Sequence, residues 1–198
     1  MNSICRITAL VLLFSLAALA SPGNADLVTI DFDSFAPTTS FGGGTEEGFV
    51  IGNVLGPVAV NSDFLGPFSG ANSIHHNSAS LASFEITHEM GSLFELESFR
   101  AGSAFGGAEP LTISGFVGGA LVGSDVYDPN PADSYFLFNP TNLLGVQVDR
   151  LVFDLGPAGP GPTHIDDIIV NGPNAVPEPS AAILGFAGTL ALITRRRR

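Results

Sequence analysis

Four aspartates near the two ends of the chain's central part have side chains suited to a cation site. Asp31 and Asp33 lie at the end of the first predicted strand, and Asp166 and Asp167 lie in the last. Calcium binds carboxylate and carbonyl oxygens at about 2.3–2.6 Å, and the first and last strands of a β-sandwich are often neighbours. The hypothesis is a structural calcium ion at these residues, with no other cofactor required. The alternative is that the aspartates cap turns by accepting backbone hydrogen bonds.

Histidines offer a second possible metal chemistry, but their spacing argues against it. His75 and His76 are adjacent, and His88 follows well apart from them. Side chains of adjacent strand residues point to opposite faces, so these two imidazoles would share a metal ion only in a loop. We expect a solvated loop at this position and no zinc site.

Two tyrosines flank a proline-containing segment that is suited to recognition. Tyr127 and Tyr135 bracket it, and the chain has no tryptophan. Sugars often bind by stacking on an aromatic ring, so the pair is our candidate ligand-binding site for a glycan. The alternative is an ordinary connection between neighbouring strands.

Catalytic motifs are missing from the sequence. The only cysteine, Cys5, precedes the first apolar run, and the sequence contains neither a Gly-x-Ser-x-Gly motif nor a phosphate-binding loop. A glycosidase needs two carboxylates facing each other across a cleft. The many acidic residues here could supply such a pair, but the sequence does not identify which two. We therefore predict that the protein is not an enzyme, and keep a secreted hydrolase as a distant alternative.

The central part of the chain is strongly acidic. Between residues 26 and 176 it has 18 acidic residues against only Arg100 and Arg150, a net charge of about −16. Such a surface repels phosphate backbones, which excludes nucleic acid as a partner.

Short alternating apolar runs between glycines and prolines indicate an all-β domain. The pattern predicts a two-sheet antiparallel β-sandwich, jelly-roll-like, over residues 26–175. The phase of the apolar residues changes near Asp149 and Arg150, which predicts a bulge. Gly42 to Gly44 is expected to be a flexible loop. The predicted strands are residues 27–33, 48–53, 57–61, 81–87, 93–99, 111–117, 120–126, 134–139, 146–154 and 164–170.

Three segments of this domain carry a resemblance. They are Ile30-Asp-Phe-Asp33 with Glu47-Gly-Phe49, Phe94-Glu-Leu-Glu-Ser-Phe99 with Leu111-Thr-Ile-Ser-Gly-Phe116, and Ile165-Asp-Asp-Ile168. Together they resemble galactose-binding-like jelly rolls, which implies the same sandwich fold and makes glycan binding an expectation.

The N-terminal residues 1–25 have the features of a signal peptide. Arg6 precedes an apolar run, and small residues allow cleavage after Ala20 or Ala25. A retained N-terminal anchor is the alternative, although the run is short for a membrane span.

The C-terminal residues 176–198 contain three parts in order: Pro177-Glu178-Pro179, an uncharged apolar stretch, and four arginines, Arg195, Arg196, Arg197 and Arg198. The arginines would remain on the cytoplasmic side and leave the domain outside. This order resembles the PEP-CTERM sorting signal, also labelled the ice-binding protein C-terminal domain. The resemblance implies recognition by an exosortase, a membrane protease that removes the anchor. An ordinary C-terminal transmembrane helix is the alternative.

Taken together, these patterns predict an exported cell-surface or extracellular-matrix protein with a structural or adhesive role. It would be anchored transiently in the inner membrane, with an exosortase and an exopolysaccharide as partners. A carbohydrate-binding surface module is the alternative function.

Overall fold

The computed structural model describes residues 26–61, 68–76, 80–103, 110–129, 134–157 and 161–172. The secondary structure assigned there consists of β-strands, which form two six-stranded antiparallel sheets. Nowhere in those ranges does a helix reach the length and apolarity needed to cross a membrane. The predicted two-sheet sandwich is confirmed, whereas the signal peptide and the C-terminal helix lie outside the described residues.

Sheet A is organised around its last strand, β12, which has neighbours on both edges. One edge of β12 pairs with β7, and the other pairs with β5 and, further along, with β1. The first and last strands are therefore neighbours, as predicted, with Ile30 opposite Ile168. The strands of sheet A are β1 (Leu27–Ile30), β4 (Val58–Asn61), β5 (Ser73–His76), β7 (Glu95–Ser103), β10 (Ser134–Phe138) and β12 (Thr163–Asn171).

Sheet B has the order β2-β3-β6-β11-β8-β9. Alternation along β6 shows why the sheet is amphipathic: Ala82, Phe84 and Ile86 are buried, whereas Glu85 and Thr87 lie on the outer face. Successive strand residues point to opposite faces, so the apolar set packs between the sheets. The strands of sheet B are β2 (Gly44–Glu46), β3 (Phe49–Leu55), β6 (Leu81–His88), β8 (Leu111–Val117), β9 (Ala120–Tyr127) and β11 (Arg150–Pro157).

Phenylalanines form the centre of the core between the two sheets. The rings of Phe84 and Phe153 stack at 4.8 Å, and Phe99 of sheet A meets Phe153 edge-on at 6.1 Å. All three side chains are fully buried. Each fully buried phenylalanine contributes roughly 1.5–3 kcal/mol relative to an exposed one, so this cluster is a principal link between the sheets.

Two sequence-based predictions of loops are wrong. Gly44 begins strand β2, because its backbone pairs with Ile51 of β3 instead of forming part of a flexible loop. His75 and His76 lie in β5 and are buried, and the His75 ring is stacked on that of His164 in the neighbouring strand β12. A four-residue strand with two histidines has no apolar alternation that the sequence pattern could detect.

The predicted bulge at Asp149 and Arg150 is wrong, and the change of apolar phase there has a different origin. Val148 forms an isolated bridge with Phe94, just before β7 of sheet A, whereas Arg150 begins β11 in sheet B. The apolar phase therefore changes where the chain leaves this bridge and enters the other sheet. The register shift recorded in β11 lies later, between Asp154 and Pro157.

Candidate functional site

The four aspartates predicted to bind calcium lie at one end of the β1–β12 pair, where Asp33, Asp166 and Asp167 hold segment 68–72. One carboxylate oxygen of Asp166 accepts hydrogen bonds from the backbone N–H groups of Phe68 (2.7 Å) and Ser69 (3.1 Å). Asp33 accepts the N–H groups of residues 71 and 72, at 2.6 and 2.9 Å. The Ser69 hydroxyl donates to Asp167. Segment 68–72 is therefore held by residues from both the first and the last part of the domain's sequence.

These contacts fit the capping alternative for Asp33 and Asp166. Asp31 also accepts the backbone N–H of Asp33, at 3.1 Å. Within the described ranges, no three carboxylate, imidazole or thiol groups are placed to hold one metal ion. Calcium binding at Asp31, Asp33, Asp166 and Asp167 stays a prediction.

A polar layer lies on the outer face of sheet A beside segment 68–72. The imidazoles of His75 and His164 stack with their centroids 4.5 Å apart, and the Ser73 hydroxyl lies 3.3 Å from Nδ1 of His164. The pKa of His164 is lowered to about 3. Burial is the main cause, and repulsion from the neighbouring His75 and His76 adds to it. Burial also raises the pKa of the Asp166 carboxyl to about 7. The His164 and Asp166 side chains are therefore buried from solvent, and the fold favours the uncharged form of each.

The two tyrosines of the predicted glycan site lie in different environments. Tyr127 is 8% exposed and belongs to the core, with its ring 4.8 Å from that of Phe99. Tyr135 lies on the outer side of sheet A, with its ring 5.9 Å from that of Phe68. The structure does not bring the two rings onto one surface, and ligand binding at Tyr127 and Tyr135 stays a prediction.

In contrast, the outer face of sheet B is open over five strands. Its side chains form three rows across β3, β6, β11, β8 and β9. The central row is in register throughout, whereas one flanking row passes a register shift at β3 and the other passes one at β9. Every residue in these rows is half-buried or exposed. The central row is Gly52, Glu85, Val152, Ser114 and Ser124; the Arg150 row is Val50, Thr87, Arg150, Phe116 and Leu121; and the Asp154 row is Leu55, Ser83, Asp154, Thr112 and Val126.

Most side chains in the central row are short, and larger ones flank them on both sides. Glycine and two serines occupy three of its five positions, and the adjacent rows carry Phe116 and Leu121 on one side and Leu55 and Val126 on the other. We call the surface over the central row the sheet B groove. With strands about 4.8 Å apart, the groove crosses about 19 Å of sheet.

Polar groups along the groove are held in place by one another. Arg150 Nη1 lies 2.9 Å from Glu85 Oε1, and its guanidinium lies over the Phe116 ring at 4.4 Å from the centroid. The side-chain amide of Asn53 donates to the other oxygen of Glu85. The two carboxylate oxygens of Glu85 are thus held by different residues, Arg150 and Asn53. Preorganised polar groups beside an apolar ring are typical of small-ligand sites.

Gly52 leaves open space at the β3 end of the groove. An added Cβ atom there would meet only Val50 Cγ1, at 3.8 Å, which is an ordinary contact. The groove is therefore open at this position because residue 52 has no side chain. Sequence analysis missed this site, because each row combines residues from five strands far apart in the chain.

The chain matches no protein-family model and no curated protein. Among solved structures, it is similar to a family 29 carbohydrate-binding module from Piromyces equi, at 14% identity and a TM-score of 0.44 over 75% of this chain and 91% of that one. An adhesin domain of Lys-gingipain from Porphyromonas gingivalis has 8% identity and a TM-score of 0.46, over 74% and 98% of the two chains. A family 22 carbohydrate-binding module of Clostridium thermocellum has 13% identity and a TM-score of 0.39, over 77% and 98%. Similarity this weak assigns no ligand.

Proposed function

We propose that the protein is an exported, non-catalytic surface protein that attaches to a glycan through the sheet B groove. The observation that supports this most is the open face itself, where a row of short side chains lies between rows that carry large apolar ones. Sugar rings present both apolar C–H faces and hydroxyl groups. A groove offering an aromatic edge beside carboxylate, guanidinium and hydroxyl groups complements both.

The sequence signals at the two chain ends support the location. A signal peptide in residues 1–25 would export the domain, and the PEP-CTERM-like tail would deliver it through an exosortase to the surface or matrix. An adhesive role follows from combining that location with a glycan-binding face. Calcium, if bound by the aspartates near segment 68–72, would stabilise the fold without taking part in glycan binding.

Binding assays with two matched variants test the proposal. Gly52→Phe places a ring in the groove at a position where the added Cβ atom meets only Val50 Cγ1, at 3.8 Å. Thr29→Phe adds the same side chain at an exposed strand position in sheet A. A glycan array probed with wild type should give hits that Gly52→Phe weakens at least tenfold and Thr29→Phe leaves unchanged. Equal binding by all three proteins, or no binding by wild type, would overturn the proposal. Equal thermal unfolding midpoints would show that all three are folded.

A further inference from the structure

The charges around the sheet B groove narrow the class of ligand. Arg150 is the one arginine on this face, since Arg100, the other arginine between residues 26 and 176, belongs to β7 of sheet A. The Arg150 guanidinium is already engaged, because it pairs with Glu85 at 2.9 Å and covers the Phe116 ring. A carboxylate or sulfate group on a ligand would therefore have to share the one guanidinium of this face with Glu85.

Negative charge surrounds the same groove. Asp154 lies in the row beside it, and it is exposed. The central part of the chain has 18 acidic residues against two arginines, so the long-range field also opposes an approaching anion. A uronic-acid or sulfated polymer would therefore be repelled before contact, and could form an ion pair with Arg150 only in competition with Glu85.

Both ends of the groove are occupied by small residues. At the β3 end stands Gly52, and the neighbouring backbone is that of Gly43, whose Cβ position would lie 3.5 Å from the Gly52 Cα atom. At the β9 end stands Ser124, whose hydroxyl donates to the Ile113 carbonyl at 3.2 Å. None of these described residues carries a side chain large enough to form an end wall. A chain longer than the groove can therefore pass over both ends.

We infer that the ligand of the sheet B groove is an internal stretch of an uncharged polysaccharide. This inference rests on the proposed function and specifies its ligand class. Hydroxyl groups of a neutral sugar can donate to Glu85 and to the hydroxyl oxygens of Ser114 or Ser124 without breaking the Arg150–Glu85 pair. The serine oxygens act as acceptors because Ser124 donates its proton to the Ile113 carbonyl and accepts from Ser114. Binding would depend on hydrogen bonds and apolar contact, both of which are insensitive to salt.

Titration calorimetry of the purified full-length protein against three soluble polymers tests the inference. The probes are galactomannan (uncharged), polygalacturonate (anionic) and chitosan (cationic), each with wild type, Gly52→Phe and Thr29→Phe. We expect galactomannan to bind, with several protein molecules per chain and less than a twofold change in affinity between about 0.05 and 0.5 M salt. Gly52→Phe should abolish this binding, and Thr29→Phe should not.

The possible failures are distinguishable. If polygalacturonate or chitosan binds instead, and Gly52→Phe removes that binding, the groove is a glycan site but the uncharged ligand class is wrong. One protein molecule per polymer chain at saturation would show recognition of chain ends, which contradicts an internal stretch. If none of the binding depends on Gly52, the proposed function fails together with this inference.

Discussion

At the residue scale, the buried polar groups beside segment 68–72 make stability depend on pH in two opposite ways. The pKa of His164 is lowered to about 3, so its neutral form stabilises the fold above the ordinary value of 6.5, and that stability is lost as the pH falls towards 3. The pKa of Asp166 is raised to about 7, so its contribution is present below 3.8 and is lost as the pH rises towards 7. The two effects partly cancel in the wild type.

Two variants separate these opposing effects. Relative to His164→Gln, the wild type should lose up to about 1.4 kcal/mol of unfolding free energy per pH unit as the pH falls from 6.5. Relative to Asp166→Asn, it should lose stability as the pH rises from 4 to 7. Urea denaturation at each pH measures both differences. Parallel pH profiles for the wild type and both variants would contradict the assigned protonation states.

The sequence predicted the carboxylates of this region but not their surroundings. Asp33, Asp166 and Asp167 were identified from their places at the ends of the first and last strands, and the structure brings them to one segment. Their hydrogen-bond partners are backbone N–H groups and a serine hydroxyl in a segment between β4 and β5, which no sequence pattern marks. Burial of His75 and His164 also depends on neighbours far away in the chain.

At the scale of elements, segment 68–72 reaches Asp33 only because Gly70 has no side chain. Gly70 has a φ of 61°, and a Cβ atom would lie 1.7 Å from the Asp33 carboxylate oxygen Oδ2. Gly91 has a similar φ of 68° with nothing within 4 Å. Comparing substitutions at Gly70 and Gly91 therefore separates the effect of a steric conflict from that of backbone strain.

Alanine substitutions at these two glycines should have unequal costs. Gly91→Ala should lower the unfolding free energy by about 1–2 kcal/mol through left-handed backbone strain. Gly70→Ala should cost a further ~1–3 kcal/mol, because Asp33 must move and release two N–H groups. Chemical denaturation measures both, and the excess should vanish in an Asp33→Ala background. Equal costs in the wild-type background would show that Asp33 does not hold segment 68–72.

Most of the individual strands were predictable, but their association was not. The strand over residues 111–117 was predicted with its observed bounds, because strict alternation reports which face is buried. Strands β2 and β5 were missed, since three- and four-residue segments contain too few residues to show a period. The sheet B groove depends on the strand order β3-β6-β11-β8-β9, which mixes distant parts of the chain.

At the scale of the whole molecule, the tail and the groove would have separate roles, delivery and attachment. If an exosortase removes the tail, the surface-released protein should lack everything after about residue 176. Intact-mass spectrometry of that protein checks this, with a Glu178→Ala variant of the Pro-Glu-Pro motif as the control that should remain uncleaved. A released protein that retains Arg195 to Arg198 would contradict processing.

The central claim is that the sheet B groove holds the glycan. Nuclear magnetic resonance of the isotope-labelled protein, titrated with a neutral oligosaccharide that binds, tests it most directly. We predict amide shifts concentrated at Gly52, Val152, Ser114 and Ser124 across four strands, with little change in segment 68–72. Shifts confined to the neighbourhood of Phe68 and Tyr135, with the groove residues unchanged, would contradict the claim.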